Sequence, residues 1–236
     1  MFDLFSDPVK VAQQMEIIFS EYGFAIWETM YALILEVIFA YLVGLPLGVL
    51  LVTGEKEGIR PLPAWAMKTI NVVINLLRSV PFLILMIIAL PLSKIIVGTK
   101  VGTAATIPPM VIAAFPLVAR MVESSLREVN HGVIEASQSM GASTWQIVTK
   151  VMLPEALPSL ISGGTITVGT ILGYGAMAGI IGGGGLGKMA INYGYYNFKY
   201  LVMWAAVIGL IILVQIFQSV GTKLAQVSDK RLRNRN

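Results

Sequence analysis

The chain has 236 residues, of which 56% are hydrophobic and only 13% charged, about half the charged share of an ordinary soluble domain, so its polar side chains are too few to cover a water-facing surface and the bilayer is the solvent that fits. With no cysteine and a single histidine, His131, it excludes a disulfide scaffold, Cys-based zinc or iron–sulfur ligation and a histidine-rich metal site. The net charge of +4 reads as loop bias in a membrane protein rather than as a nucleic-acid footprint.

Residues 1–25 precede the first apolar run. Asp3, Asp7, Glu16 and Glu21 fall here and no basic region leads an apolar core, which is unlike a secretory signal. Two readings stand for this extracytoplasmic lead-in: an interfacial helix with Val9, Ala12, Met15, Ile17, Ile18 and Phe19 on one face, or a short polar extension.

Five stretches then reach the length of about 20 apolar residues that a crossing helix needs. They are 30–52 with Glu36 inside, 65–92 with Lys68 and Arg78, 101–122 with Pro108, Pro109, Pro116 and Arg120, and the uncharged 157–181 and 201–220. The runs are too long and too uniformly apolar for strands. The expected fold class is an all-α integral membrane protein with about five transmembrane helices. Five spans put the termini on opposite sides. One side holds eleven Lys and Arg, in 53–64, 120–155 and the tail from 221 with Lys68 beside them; the other holds Lys10, Lys94, Lys100, Lys188 and Lys199. The positive-inside rule makes the richer side cytoplasmic, with the N-terminus outside.

The sequence GGGGLGKM at 182–189 satisfies G-x-x-x-x-G-K, the spacing of a phosphate-binding loop. Met189 stands where such a loop needs Ser or Thr for magnesium, and no strand precedes it. Its place between the fourth and fifth spans puts it on the outer face. A compact glycine-rich hairpin is the expected structure there.

Between the third and fourth spans the chain predicts two short helices. The first runs over about 132–140 and stops at Gly141, a natural residue to follow a helix end. Ser143 with Gln146 three residues on predicts a capping box, and Pro154 is expected to end the second helix. The small residues Ala136, Ser137, Ser139, Gly141, Ala142 and Ser143 leave a low ridge that suits close docking, or an ordinary connector.

Glu135-Ala136-Ser137, then Gly141, then Leu153-Pro154 resembles the EAA loop of ABC importer permeases, with Ser137 in place of the second alanine and Val151 in place of an isoleucine. NLLRSVPFLILMIIALPLSKIIVGT at 75–99, QIVTKVMLPEALP at 146–158, GYGAMAGIIGGGGLG at 173–187 and GLPLGVLL at 44–51 are similar to the permeases of methionine ABC importers. The resemblance implies a type I importer permease fold over 26–222, a coupling segment at 132–154 and a basic cytoplasmic tail at 223–236. It implies that Glu135, Ala136, Ser137, Gly141, Ala142, Leu153 and Pro154 form the contact to a separate ATPase. It further implies a homodimer in a bacterial inner membrane, two ATPase subunits that bind ATP and magnesium, and a methionine-binding lipoprotein outside. No catalytic residue, cofactor or metal is expected in this chain. Methionine rests on resemblance alone; another amino acid or small solute, or an ion-coupled secondary transporter, are the alternatives.

Arg78, Asn71, Asn75 and Glu36 are the candidate pathway residues. A charge in mid-bilayer must face protein or water. For Arg78 an ion pair, Glu36 being one choice of partner, or snorkelling competes with a role in translocation. Asn71 and Asn75, four apart on one helix face, line a polar path or bond to a neighbouring helix. The methionines are expected to be packing residues, and His131 a surface residue.

Overall fold

The computed structural model describes residues 8–229, among which regular structure is helical throughout. In chain order the helices are α1 (Pro8–Thr53), α2 (Ala64–Ser79), α3 (Phe82–Val97), α4 (Thr103–Arg127), α5 (His131–Ser139), α6 (Thr144–Ile147), α7 (Leu153–Glu155), α8 (Leu157–Ala178), α9 (Gly185–Met189) and α10 (Tyr200–Ser228). Four of them, α1, α4, α10 and α8 extended to Ile181, are long and apolar enough to cross a membrane; the bent pair α2–α3 makes five if counted as one span.

Two expectations change. Residues 8–25 do not form a separate element, because α1 runs unbroken for 46 residues, about 69 Å at 1.5 Å per residue and well over the roughly 30 Å of hydrocarbon. Residues 1–7 and 230–236, the latter with Lys230, Arg231, Arg233 and Arg235 of the basic tail, lie outside the described residues. The stretch 65–92 is not one straight helix but two, interrupted at Val80 and Pro81. A proline ring crowds the residue before it out of the helical region, and Val80 accordingly has φ −76° and ψ 129°.

The chain divides into two compact units. The first comprises residues up to 38, 81–113 and 168–216. Its core gathers Ala25 of α1, Leu186 and Met189 of α9, and Val202 and Ala206 of α10. Tyr22 donates its hydroxyl to the Ala205 carbonyl at 3.1 Å, and Phe82 stacks on Tyr174 with ring centroids 4.2 Å apart.

The second unit comprises 39–80, 114–167 and the chain from 217. Leu51, Ile74 and Ala119 form its core, with Leu47, Met67 and Ile70 packed on them. Gly44 and Gly48, one helical turn apart, bring α1 against α4: a Cβ at either would lie 2.6 Å from Val118 Cβ or from the Ala119 carbonyl oxygen. Lipid tails are as apolar as leucine, so membrane helices associate through such close backbone approach rather than through hydrophobic burial.

Large apolar side chains point outward at helical spacing. Ile84, Ile88 and Ile95 of α3 and Ile208, Ile212 and Ile216 of α10 are all exposed, the pattern of a chain whose surroundings are lipid and further protein.

Candidate functional site

The segment from His131 to Glu155 belongs to the second unit and is built from local signals. Asn130 caps α5, its side chain accepting from the Gly132 N–H at 2.8 Å. The helix ends at Met140, and Gly141 takes φ +77°, the left-handed conformation in which a residue bearing Cβ is strained. That turn lets Gly141 N–H donate to the Gln138 carbonyl at 2.9 Å and Ala142 N–H to the Ser137 carbonyl at 3.1 Å. Ser143 opens α6 with a full capping box: its N–H donates to Gln146 Oε1 at 2.8 Å and its Oγ accepts from Gln146 N–H at 3.3 Å.

Pro154 does not end the helix, contrary to the expectation from sequence. A π-helical turn spans Val148–Met152, and α7 carries Pro154 in its first turn before the break at Ala156. The widened turn absorbs the missing proline N–H and the crowding of its ring, which is why such bulges and prolines keep company.

One face of the segment is anchored and the other is presented. Ile147, Val148, Met152 and Ala156 are buried, and Ser137 is also buried, donating to the Val133 carbonyl at 2.8 Å. Glu135, Ala136, Gly141 and Pro154 are exposed, while Ala142 and Leu153 are half-buried. His131 Nδ1 lies 3.1 Å from Glu135 Oε1 at the exposed start of α5. The presented face is not the uniformly low ridge read from sequence. Met140 and Trp145, 80% and 76% exposed, stand as two large apolar knobs on either side of Gly141. Their position was legible in the sequence only as spacing. Trp145 also lines a groove of about 290 Å³ with Pro46 and Val49 of α1.

Asn71 and Asn75 are brought together, but by a residue outside the candidate set. Arg120 of α4 donates one guanidinium nitrogen to Asn71 Oδ1 at 2.8 Å and to Asn75 Oδ1 at 2.9 Å, and the other to Glu123 at 2.6 Å. Glu123 in turn accepts from Arg127 at 2.8 Å, and Arg127 forks onto Glu55 in the loop after α1. The network joins α2, α4 and that loop, which favours the helix-bonding reading of the two asparagines. Arg120→Lys is expected to destabilise the protein by about 1–3 kcal/mol, because a single ammonium nitrogen cannot stand where two guanidinium nitrogens reach Glu123 and the two asparagines separately. Thermal unfolding of the detergent-solubilised protein measures this; a lysine variant as stable as wild type removes the fork from the account.

Arg78 is exposed at the end of α2, and it engages no ion-pair partner among the described residues, so the ion-pair reading is not realised there. Glu36 is buried in the first unit.

The glycine stretch is clasped by the chain itself. Gly182 and Gly185 have positive φ, and the Glu28 carboxylate accepts from Gly185 N–H at 2.8 Å and from the Thr103 hydroxyl at 2.6 Å. Thr29 Oγ1 accepts from Leu186 N–H at 2.9 Å. The backbone donors that a phosphate would need at the start of α9 are thus spent on α1. Sequence reasoning rejected the nucleotide loop from its missing Ser/Thr but did not find Glu28 and Thr29, whose partners lie 157 residues away.

Comparison with known proteins now bears on this geometry. Residues 44–234 match the model of the family described as binding-protein-dependent transport system inner membrane component. The chain is 48% identical over 208 residues to a probable D-methionine transport system permease protein of Vibrio cholerae, covering 88% of this chain and 92% of that one. It is 45% identical to a methionine import system permease protein of Bacillus subtilis, over 71% and 77% of the two chains. Among solved structures, a chain of the inward-facing MetNI methionine ABC transporter superposes with a TM-score of 0.87 at 40% identity, covering 91% of this chain and 99% of that one.

Proposed function

This chain belongs to the family of binding-protein-dependent transport system inner membrane components, and from that premise we propose that it forms the membrane path of an ATP-driven importer of D- and L-methionine. It is the permease subunit of an ABC transporter and is not itself an enzyme. A second copy of the chain and an ATPase partner complete the membrane machine, a reading supported by its likeness to a chain of a methionine ABC transporter. The observation that carries the reading is the segment from α5 to α7: anchored by Ile147, Val148 and Met152, capped at both joints, and presenting Met140, Gly141 and Trp145 outward.

In this reading each permease offers that segment to a cleft of an ATPase subunit in the cytoplasm, and the ATPase holds the ATP and magnesium. A solute-binding lipoprotein delivers methionine from the other side of the membrane. ATP binding draws the two ATPase subunits together and the presented segments with them, so the permease halves rock between inward- and outward-open states. Such coupling requires only that the segment bind the ATPase differently in the two states. The capping box and the left-handed turn keep the segment rigid enough to transmit that displacement.

Reconstitution tests it. Proteoliposomes holding the permease with its ATPase, supplied with the binding protein, are expected to accumulate radiolabelled methionine only with ATP, and to prefer it over other amino acids. Uptake that follows an imposed ion gradient without ATP points to a secondary transporter and ends the proposal. ATP-driven uptake of another solute in preference to methionine keeps the machine and removes the cargo.

A further inference from the structure

Glu36 is the acid the rest of the molecule leaves unexplained. It is 3% exposed, lies in the apolar part of α1, and engages no hydrogen-bond or ion-pair partner among the described residues. Buried polar groups in native structures are almost always satisfied, and an ionisable group within a membrane helix marks a functional site by default. What it faces is a cavity of about 30 Å³ within the first unit. A water molecule needs about 10–15 Å³ of such space, so the cavity holds a few waters at most and no amino acid enters.

The remaining polar lining is oxygen. Thr103 and Thr106 come from α4, and Glu28 and Thr29 from the outer part of α1. Among the described residues Glu28 is the only other charged or titratable side chain facing the cavity; α8, α9 and α10 contribute none. Both Glu28 oxygens already accept hydrogen bonds, from Thr103 and Gly185, whereas the Glu36 carboxyl has no such partner among the described residues. Glu28 also lines an open groove of about 470 Å³ with Ser20, Lys188 and Asn192. It thus stands between the surface and the buried acid.

We propose that this cavity is a binding site for one small monovalent cation, a water-borne proton or an alkali-metal ion, held on the Glu36 carboxylate and admitted past Glu28. A hard oxygen lining suits a hard ion, the Glu36 carboxyl has no partner of its own among the described residues, and the volume excludes an amino acid. The proposal is independent of which solute the permease carries.

The test uses the full-length purified chain in detergent, with thermal unfolding followed in sodium chloride against choline chloride at matched ionic strength, and in choline across a pH series. A guest that binds only the folded state raises the melting temperature in a saturable way, by about 5 °C or more at a hundredfold excess over its dissociation constant. A sodium-dependent rise in wild type that is absent from Glu36→Gln identifies an alkali ion. No sodium dependence, with a pH profile that separates wild type from Glu36→Gln, identifies the proton. Coincident curves for the two proteins in both series overturn the proposal.

Discussion

Gly141→Trp is expected to yield a permease that inserts and folds yet transports no methionine and no longer raises the ATPase rate of its partner. The argument separates two costs. Gly141 sits at φ +77°, where a residue with Cβ is strained by roughly 1–2 kcal/mol, a small part of the 5–15 kcal/mol that holds a domain folded. No atom lies within 4 Å of a Cβ built there, so the new side chain leaves the backbone without a clash at its root, on the exposed turn that carries Met140 and Trp145. A partner seated on that face meets the added bulk directly. Gly141→Asn is the control, since asparagine adopts the left-handed conformation more readily than most residues. Its transport should stay within a few-fold of wild type. Uptake and substrate-stimulated ATP hydrolysis in proteoliposomes read both variants. Wild-type transport by the tryptophan variant would detach this segment from the engine.

The segment from α5 to α7 was largely legible because its signals are local. Gly141, Ser143 and Gln146 each act within four residues, and cap chemistry is written in residue type. Pro154 misled for the same reason: the rule that proline ends a helix is local, whereas the π-helical turn that accommodates it depends on Val148 and Met152 being buried against the unit beneath. The bend at Val80–Pro81 was available from the sequence, but the apolar run around it outweighed one proline. Nothing in spacing could pair Arg120 with Asn71 and Asn75, 49 and 45 residues away, or Glu28 with Gly185. Helix count and class came from composition and length, which a membrane imposes on every residue; the polar contacts came from packing, which it does not.

Gly187→Ala is expected to lose about 3–5 kcal/mol of stability. The Cβ it introduces would fall 2.5 Å from both the Cα and the carbonyl oxygen of Ala176, and the reciprocal position, Gly179, has Gly187 carbonyl carbon and Lys188 nitrogen at 2.6 Å. These neighbours are backbone, so no rotamer change relieves the contact. Overpacking of this kind costs about 1–3 kcal/mol. The end of α8 and the start of α9 must also separate, and with them goes the register that lets Gly185 N–H reach Glu28 and Leu186 N–H reach Thr29. Each buried donor or acceptor left unmatched adds about 1–3 kcal/mol. In thermal unfolding the loss corresponds to a fall of about 10 °C. Gly173→Ala, in α8 with no atom within 4 Å of its Cβ, should melt with wild type. If the two alanine variants melt together, the glycine-rich stretch is not held by close backbone contact, and its glycines need another explanation.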